Sequence, residues 1–183
     1  MRRLLGITLL VLLCAGICQA QPTLPSETLD ALAHRYTTPQ AIGRWFREDF
    51  RFVRDRDQFG VAERWQSPEE FLATHRGDCE DFALLARELL VRNGVEAFVF
   101  SLFGDDGYAH TVCAFRDRDG YSALSRRGVQ VVRARSLEGL ANRLHPSWSF
   151  GGVVERDGVY GRLVRDLRNP DPVAVIGAEP FDF

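Results

Sequence analysis

The period of the apolar residues changes once along this chain, at Asn93-Gly94, and that change limits the fold more than any other feature. Before it, apolar residues recur at helical spacing. Leu29, Leu32 and Ala33 form one group, and Ile42, Trp45, Phe46 and Phe50 a second. Phe82, Leu85, Ala86, Leu89 and Leu90 form another. Each set lays a stripe along one helix face. After Gly94 the pattern becomes strand-like. Ala97 to Phe103 and Tyr108 to Phe115 are runs rich in Phe and Val, parted by the turn Gly104-Asp105-Asp106-Gly107. Asp119-Gly120 is a hairpin signal, and Tyr121 to Val132 is expected to contain a third strand. Helices first and antiparallel strands afterwards predict an α+β fold, with N-terminal helices packed on an antiparallel sheet.

Helix starts are marked by residues that accept hydrogen bonds from unpaired backbone N–H groups. Ser26 is expected to cap the first helix. Thr38-Pro39 reads as N-cap and first helical position of the second, and Ser67 with Glu70 as a capping box before Phe71 and Leu72. Ser136 is placed to cap a helix through Leu137, Leu140 and Leu144, stopped before Pro146. Asp157-Gly158 suggests a late hairpin between Val153 and Leu163. The tail from Asn169 is proline-rich and reads as irregular.

Residues 1–20 read as an export signal. Arg2-Arg3 gives the positive start, Leu4 to Leu13 the apolar stretch, and Cys18-Gln19-Ala20 a small-x-small cleavage site. The apolar run is short for a stable membrane span. Leu13 and Ile17 precede Cys14 and Cys18 where a lipoprotein signal wants a small residue, which weighs against lipidation. The expected organisation is a signal at 1–20, a domain at 21–145 and a C-terminal extension at 146–183 with no assigned role. The expected location is periplasmic or secreted. Of 183 residues, 45% are hydrophobic and 26% charged, which excludes a disordered chain; a net charge of -2 argues against a general nucleic-acid binder.

Export leaves Cys79 and Cys113 as the thiols. Cys79 lies in Arg76-Gly77-Asp78-Cys79-Glu80-Asp81-Phe82-Ala83, where a loop becomes a helix. Asp78 and Asp81 are spaced as N-cap and capping-box partner, which puts Cys79 at the first helical position. Free N–H groups and the helix dipole there favour thiolate, while Asp78, Glu80 and Asp81 oppose it. A reactive thiol needs a base, and the chain offers His34, His75, His110 and His145. His110, on a strand just after a turn, is the best placed of the four. The bland readings are a structural thiol for Cys79, a core histidine for His110 and a solvated surface for Arg51 to Arg56. Strand alternation puts Cys113 on the face opposite His110, which disfavours a disulfide with Cys79.

Trp65, Ser67-Pro68-Glu69-Glu70-Phe71-Leu72, Gly77-Asp78-Cys79-Glu80-Asp81-Phe82-Ala83 and His110 together resemble the bacterial transglutaminase-like cysteine proteinases, a papain-like superfamily. The resemblance spans roughly residues 40–130. It implies a papain-like core, Cys79 as nucleophile, His110 as general base and Trp65 as a candidate wall of the substrate cleft. It also implies acyl transfer through a thioester, on a peptide or protein substrate. The third member of the family's triad is an Asp about fifteen residues after the histidine; here that position is Ser125. A hydroxyl can orient an imidazole but cannot offset its charge. The reading is therefore a cysteine peptidase or amidase, with a cleft-bearing binding module that has lost catalysis as the alternative. The Cys–His chemistry requires no cofactor. Some relatives hold calcium with acids around the cysteine, and Asp78, Glu80 and Asp81 match that pattern; read alone, they are helix-start charge.

Overall fold

The computed structural model describes residues 27–156 and 159–166. The helical half begins with α1 (Leu29–Arg35) and α2 (Pro39–Asp49). Thr28, not Ser26, caps α1, its side chain accepting from Ala31 N–H; Ser26 lies outside the described residues, as do residues 1–20 and the tail from 167. Thr38 caps α2 with Pro39 at the first helical position. A two-residue strand β1 (Arg51–Phe52) then leads into a single turn of helix, α3 (Asp55–Gln58). α4 (Pro68–Thr74) starts on the Ser67–Glu70 capping box and ends at His75, whose left-handed backbone (φ 53°) turns the chain into β2 (Arg76–Gly77). β1 and β2 pair in parallel, setting Phe52 level with Gly77.

α5 (Cys79–Arg92) is the central helix. It buries Phe82, Ala83, Leu85, Ala86, Leu89 and Leu90, side chains of which the larger each contribute about 1.5–3 kcal/mol when fully buried. Asn93 ends it and Gly94 takes the positive φ of 74° that the turn away from the helix requires.

The remaining strands form one antiparallel sheet. β3 (Ala97–Gly104), β4 (Ala109–Asp117), β5 (Gly120–Ser125), β6 (Gly128–Ala134), β7 (Trp148–Arg156) and β8 (Val159–Asp166) lie in the order β6-β5-β4-β3-β7-β8. The run expected to hold one third strand is a hairpin of two, β5 and β6. Its turn, Ser125 to Gly128, carries a glycine at φ 101° but none of the Asn-Gly or Asp-Gly signals that mark a tight turn in sequence. β7 and β8 form the late hairpin, and its turn residues Asp157 and Gly158 lie outside the described residues. β7 pairs with β3, so the segment after α6 (Leu137–Leu144) adds strands to the same sheet.

Both faces of the sheet are covered, which explains why β3 reads as an unbroken apolar run. Val99, Cys113, Phe115 and Leu124 meet α1, α2 and α5 on one side. Phe100, Leu102, Val112, Ala114 and Ala123 meet Leu137, Leu140 and Ala141 of α6 on the other. Trp148 is buried in that second cluster, its Nε1 donating to Asn142 Oδ1 at 2.8 Å.

Candidate active site

Cys79 begins α5 because the chain is held there from three directions. Asp78 takes the N-cap position in extended backbone, and its N–H donates to Asp81 Oδ2 at 3.1 Å. Asp81 is fully buried and also accepts from Gln66, from the backbone N–H at 2.9 Å and from Nε2 at 2.7 Å. The Gln66 amide donates in addition to Arg76 O at 2.9 Å, and its carbonyl accepts from Thr74 Oγ1. Gly77 is required by this packing: a Cβ there would lie 2.1 Å from Asp81 Oδ2 and 2.8 Å from Gln66 Nε2. The Gly-Asp-Cys-Glu-Asp block is thus a self-bonded knot with the thiol at its tip.

Cys79 and His110 line one cavity of about 390 Å³, together with Phe52, Tyr108, Ala109, Ser125, Arg126 and Arg127. Tyr108, His110 and Ser125 share a sheet face by register. Cys113 pairs with Leu124, so Ser125 stands level with Val112 and one diagonal step from His110. The N-terminus of α5 meets the end of this sheet, where the Thr111 backbone N–H lowers the Cys79 pKa. The Cys79 thiol in turn donates to Glu80 Oε2 at 3.3 Å. Ser125 Oγ is engaged locally, accepting from Arg127 N–H at 3.2 Å. Trp65 lies outside the lining of this cavity. Its ring packs against the main core and its Nε1 donates to Glu63 Oε1 at 2.8 Å.

Both thiols are free. The geometric reason differs from the one expected. Cys113 is on the α5 side of the sheet and not turned away from that helix; it is fully buried in the cluster that holds Phe82, Ala83 and Ala86. The other histidines are placed elsewhere. His75 stacks on Phe50 at 4.5 Å, and His145 pairs with Asp106 and stacks on Tyr108 at 3.9 Å.

The electrostatics reverse one expectation. The helix start was expected to favour thiolate, yet the Cys79 pKa is held above the ordinary value. Burial is the largest cause; the Thr111 N–H lowers it, and the charges of Asp78 and Glu63 raise it again. His110 is pushed down, first by burial and then by the charge of Arg127. The resting pair is therefore a neutral thiol and a neutral imidazole.

The acids responsible belong to a group that the sequence only half disclosed, with Asp55, Glu80 and Asp81 buried, Asp78 half-buried and Glu63 exposed. Asp55, in a stretch expected to be solvated surface, is 1% exposed. Donor atoms of Asp78, Cys79 and Glu80, of Asp55, Glu63 and Glu80, and of Asp55, Asp78 and Asp81 lie within 4.8 Å of one another in each set. Burial raises the carboxyl of Asp55 to about 6 and that of Asp81 to about 7, and pushes Glu80 far above the carboxylate range. Asp55 Oδ1, Asp78 Oδ1 and Glu80 Oε1 are buried with no hydrogen-bond partner.

A family model for bacterial transglutaminase-like cysteine proteinases matches residues 14–135 of the chain. The chain belongs to this family. Its members are cysteine peptidases, a class of hydrolases, and the helix-then-sheet architecture is that of the transglutaminase-like fold. Among solved structures, calcium-bound LapG of Legionella pneumophila is similar at 17% identity over 75% of this chain and 92% of that one, with a TM-score of 0.44. EGTA-treated LapG of the same organism matches at 18% identity over 75% and 88%, with a TM-score of 0.45. No curated protein sequence matches the chain. In this family member Phe52, Tyr108, Arg126 and Arg127 are cavity residues that the sequence reading missed. Phe52 reaches the cavity through the β1–β2 pairing and the arginines through an unrecognised turn, neither of which has a local signal.

Proposed function

We propose that the chain is an exported cysteine peptidase or amidase in which Cys79 and His110 carry out acyl transfer. The supporting observation is that Cys79, His110 and Ser125 line one cavity at the N-terminus of α5. The Cys79 thiol gives its proton to His110 as sulfur attacks the substrate carbonyl. The carbonyl oxygen gains negative charge and is met by backbone N–H groups at the helix start. The C–N bond then breaks, His110 returns the proton to the leaving amine, and water hydrolyses the thioester with His110 again as base. Ser125 orients the imidazole without offsetting its charge. The substrate is a peptide or protein.

Calcium fits the acidic group beside the thiol. Three buried carboxylate oxygens without partners are hard oxygen donors of the kind calcium takes. Asp55, Asp78 and Glu80 would hold it, with Glu63 at the rim. A cation there neutralises the acids whose charge opposes thiolate formation. The chain's own residues do the rest: Asp81 and Gln66 fix the loop, and the Thr111 N–H lowers the thiol's pKa.

The second reading is a binding module that keeps the cleft but not the turnover. It is favoured by Ser125, whose hydroxyl is engaged by Arg127 N–H, and by the absence of any carboxylate from the cavity lining. One experiment separates the two. Iodoacetamide labelling of the purified protein, followed site by site, is expected to modify Cys79 at least tenfold faster in the wild type than in His110→Ala. Amide hydrolysis is expected to vanish in Cys79→Ala. Equal labelling rates with no hydrolysis of any peptide would establish the binding module. For export, the protein recovered outside the cytoplasm is expected to begin at Gln21; an intact leader would refute it.

A further inference from the structure

Two arginines stand at the mouth of the Cys79 cavity, and nothing in the cavity answers their charge. Its charged or titratable lining is Cys79, Tyr108, His110, Arg126 and Arg127, with no carboxylate among the described residues. Both arginines are exposed, and neither guanidinium has a hydrogen-bond or ion-pair partner among the described residues. Asp78, Glu80 and Glu63, the acids that act on the Cys79 thiol, are not part of this lining. Arg127 lines the same cavity as His110 and Tyr108, and its charge acts on both.

The turn that carries the pair is built to hold it there. Ser125 Oγ accepts from Arg127 N–H at 3.2 Å, and Arg47 Nη1 of α2 donates to Arg127 O at 3.4 Å. Gly128 follows at φ 101°, and a Cβ there would lie 2.2 Å from Arg47 Nη1. Gly43 of α2 lies so near that its own Cβ would be 2.9 Å from Gly128 Cα. Two glycines and a third arginine thus fasten the turn to a helix. The fixed backbone presents two unpartnered planar guanidiniums, each suited to a carboxylate, which it can bind through two parallel N–H donors.

We propose that Arg126 and Arg127 make this cleft selective for an acyl substrate bearing a carboxylate close to the scissile bond. The proposal rests on the peptidase reading, which it deepens by naming the substrate class. A carboxylate bound there also stands near His110, on the side where Ser125 replaces the family's Asp. It therefore offsets the Arg127 charge that disfavours the imidazolium, so the preference extends to turnover as well as to binding.

The test uses fluorogenic peptides in which one Glu is walked through the positions flanking the cleavage site, each paired with its Gln counterpart. A second arm compares free C-terminal peptides with their amides, separating a chain-end carboxylate from a side-chain one. The expected result is a Glu-over-Gln or acid-over-amide preference in kcat/KM on the order of tenfold. It should weaken with added salt and collapse towards one in the Arg126→Gln/Arg127→Gln double variant. Binding of the same peptides to Cys79→Ala, followed by fluorescence anisotropy, keeps the question open to measurement if no peptide is hydrolysed. A carboxylate preference in binding alone would support the proposal while the peptidase reading fails. Equal handling of acidic and neutral peptides in both assays, or a preference that survives in the double variant, would overturn it.

Discussion

Replacing Asp55 by asparagine should make the calcium-free protein more stable at neutral pH. Asp55 is buried, and its carboxyl is raised from 3.8 to about 6, chiefly by burial and against the opposing Arg64 N–H hydrogen bond. The folded state therefore keeps this proton longer than the unfolded chain does. Its contribution is fully present below pH 4 and is lost as pH rises through about 6. With partial solvent screening allowed for, the raised carboxyl amounts to roughly 1–3 kcal/mol against the folded state by pH 7.5. Asparagine does not ionise, and its Oδ1 can still accept from Arg64 N–H. At about 2–4 °C per kcal/mol for a chain of this size, Asp55→Asn should melt roughly 2–12 °C above the wild type at pH 7.5 in EGTA. At pH 4 the two should melt together. Calcium at a thousandfold excess over its Kd should return about 4 kcal/mol to the wild type and far less to the variant. Thermal melts of both proteins at pH 4 and 7.5, with EGTA and with calcium, give the four comparisons. A variant no more stable than the wild type at pH 7.5 in EGTA would refute the buried charge. Equal calcium shifts in both proteins would refute Asp55 as a ligand.

Gly77→Ala should cost about 2–3 kcal/mol, read as a lower urea midpoint, because its Cβ would displace the Asp81 carboxylate from Gln66; an unchanged midpoint would show that the loop yields freely. Ser125→Asp should raise kcat/KM at least tenfold and move the acid limb of the pH–rate profile upward. A carboxylate one diagonal step from His110 counters the burial and Arg127 charge that now hold the imidazole's pKa down. An acid limb that stays in place would remove Ser125 from the third position.

The local chemistry of this chain was legible in its residues. The Thr38, Ser67 and Ser136 caps, the stop at Asn93-Gly94 and the switch from helical to strand period each depend on neighbours a few positions away, and each appears where that chemistry puts it. The motif around Cys79 was equally readable, because capping by Asp78 and Asp81 is set by a three-residue spacing. What brings Cys79, His110 and Ser125 to one cavity is sheet order and the abutment of a helix end on a strand end, which no local window contains. Tertiary structure alone also decided that Asp55, in an arginine- and aspartate-rich stretch, is buried against Asp78 and Glu80, and that Phe52 walls the cavity. It set the sign of the Cys79 shift as well: the helix dipole acts within one turn, whereas burial is made by elements distant in sequence, and with the charges of Asp78 and Glu63 it outweighs the dipole.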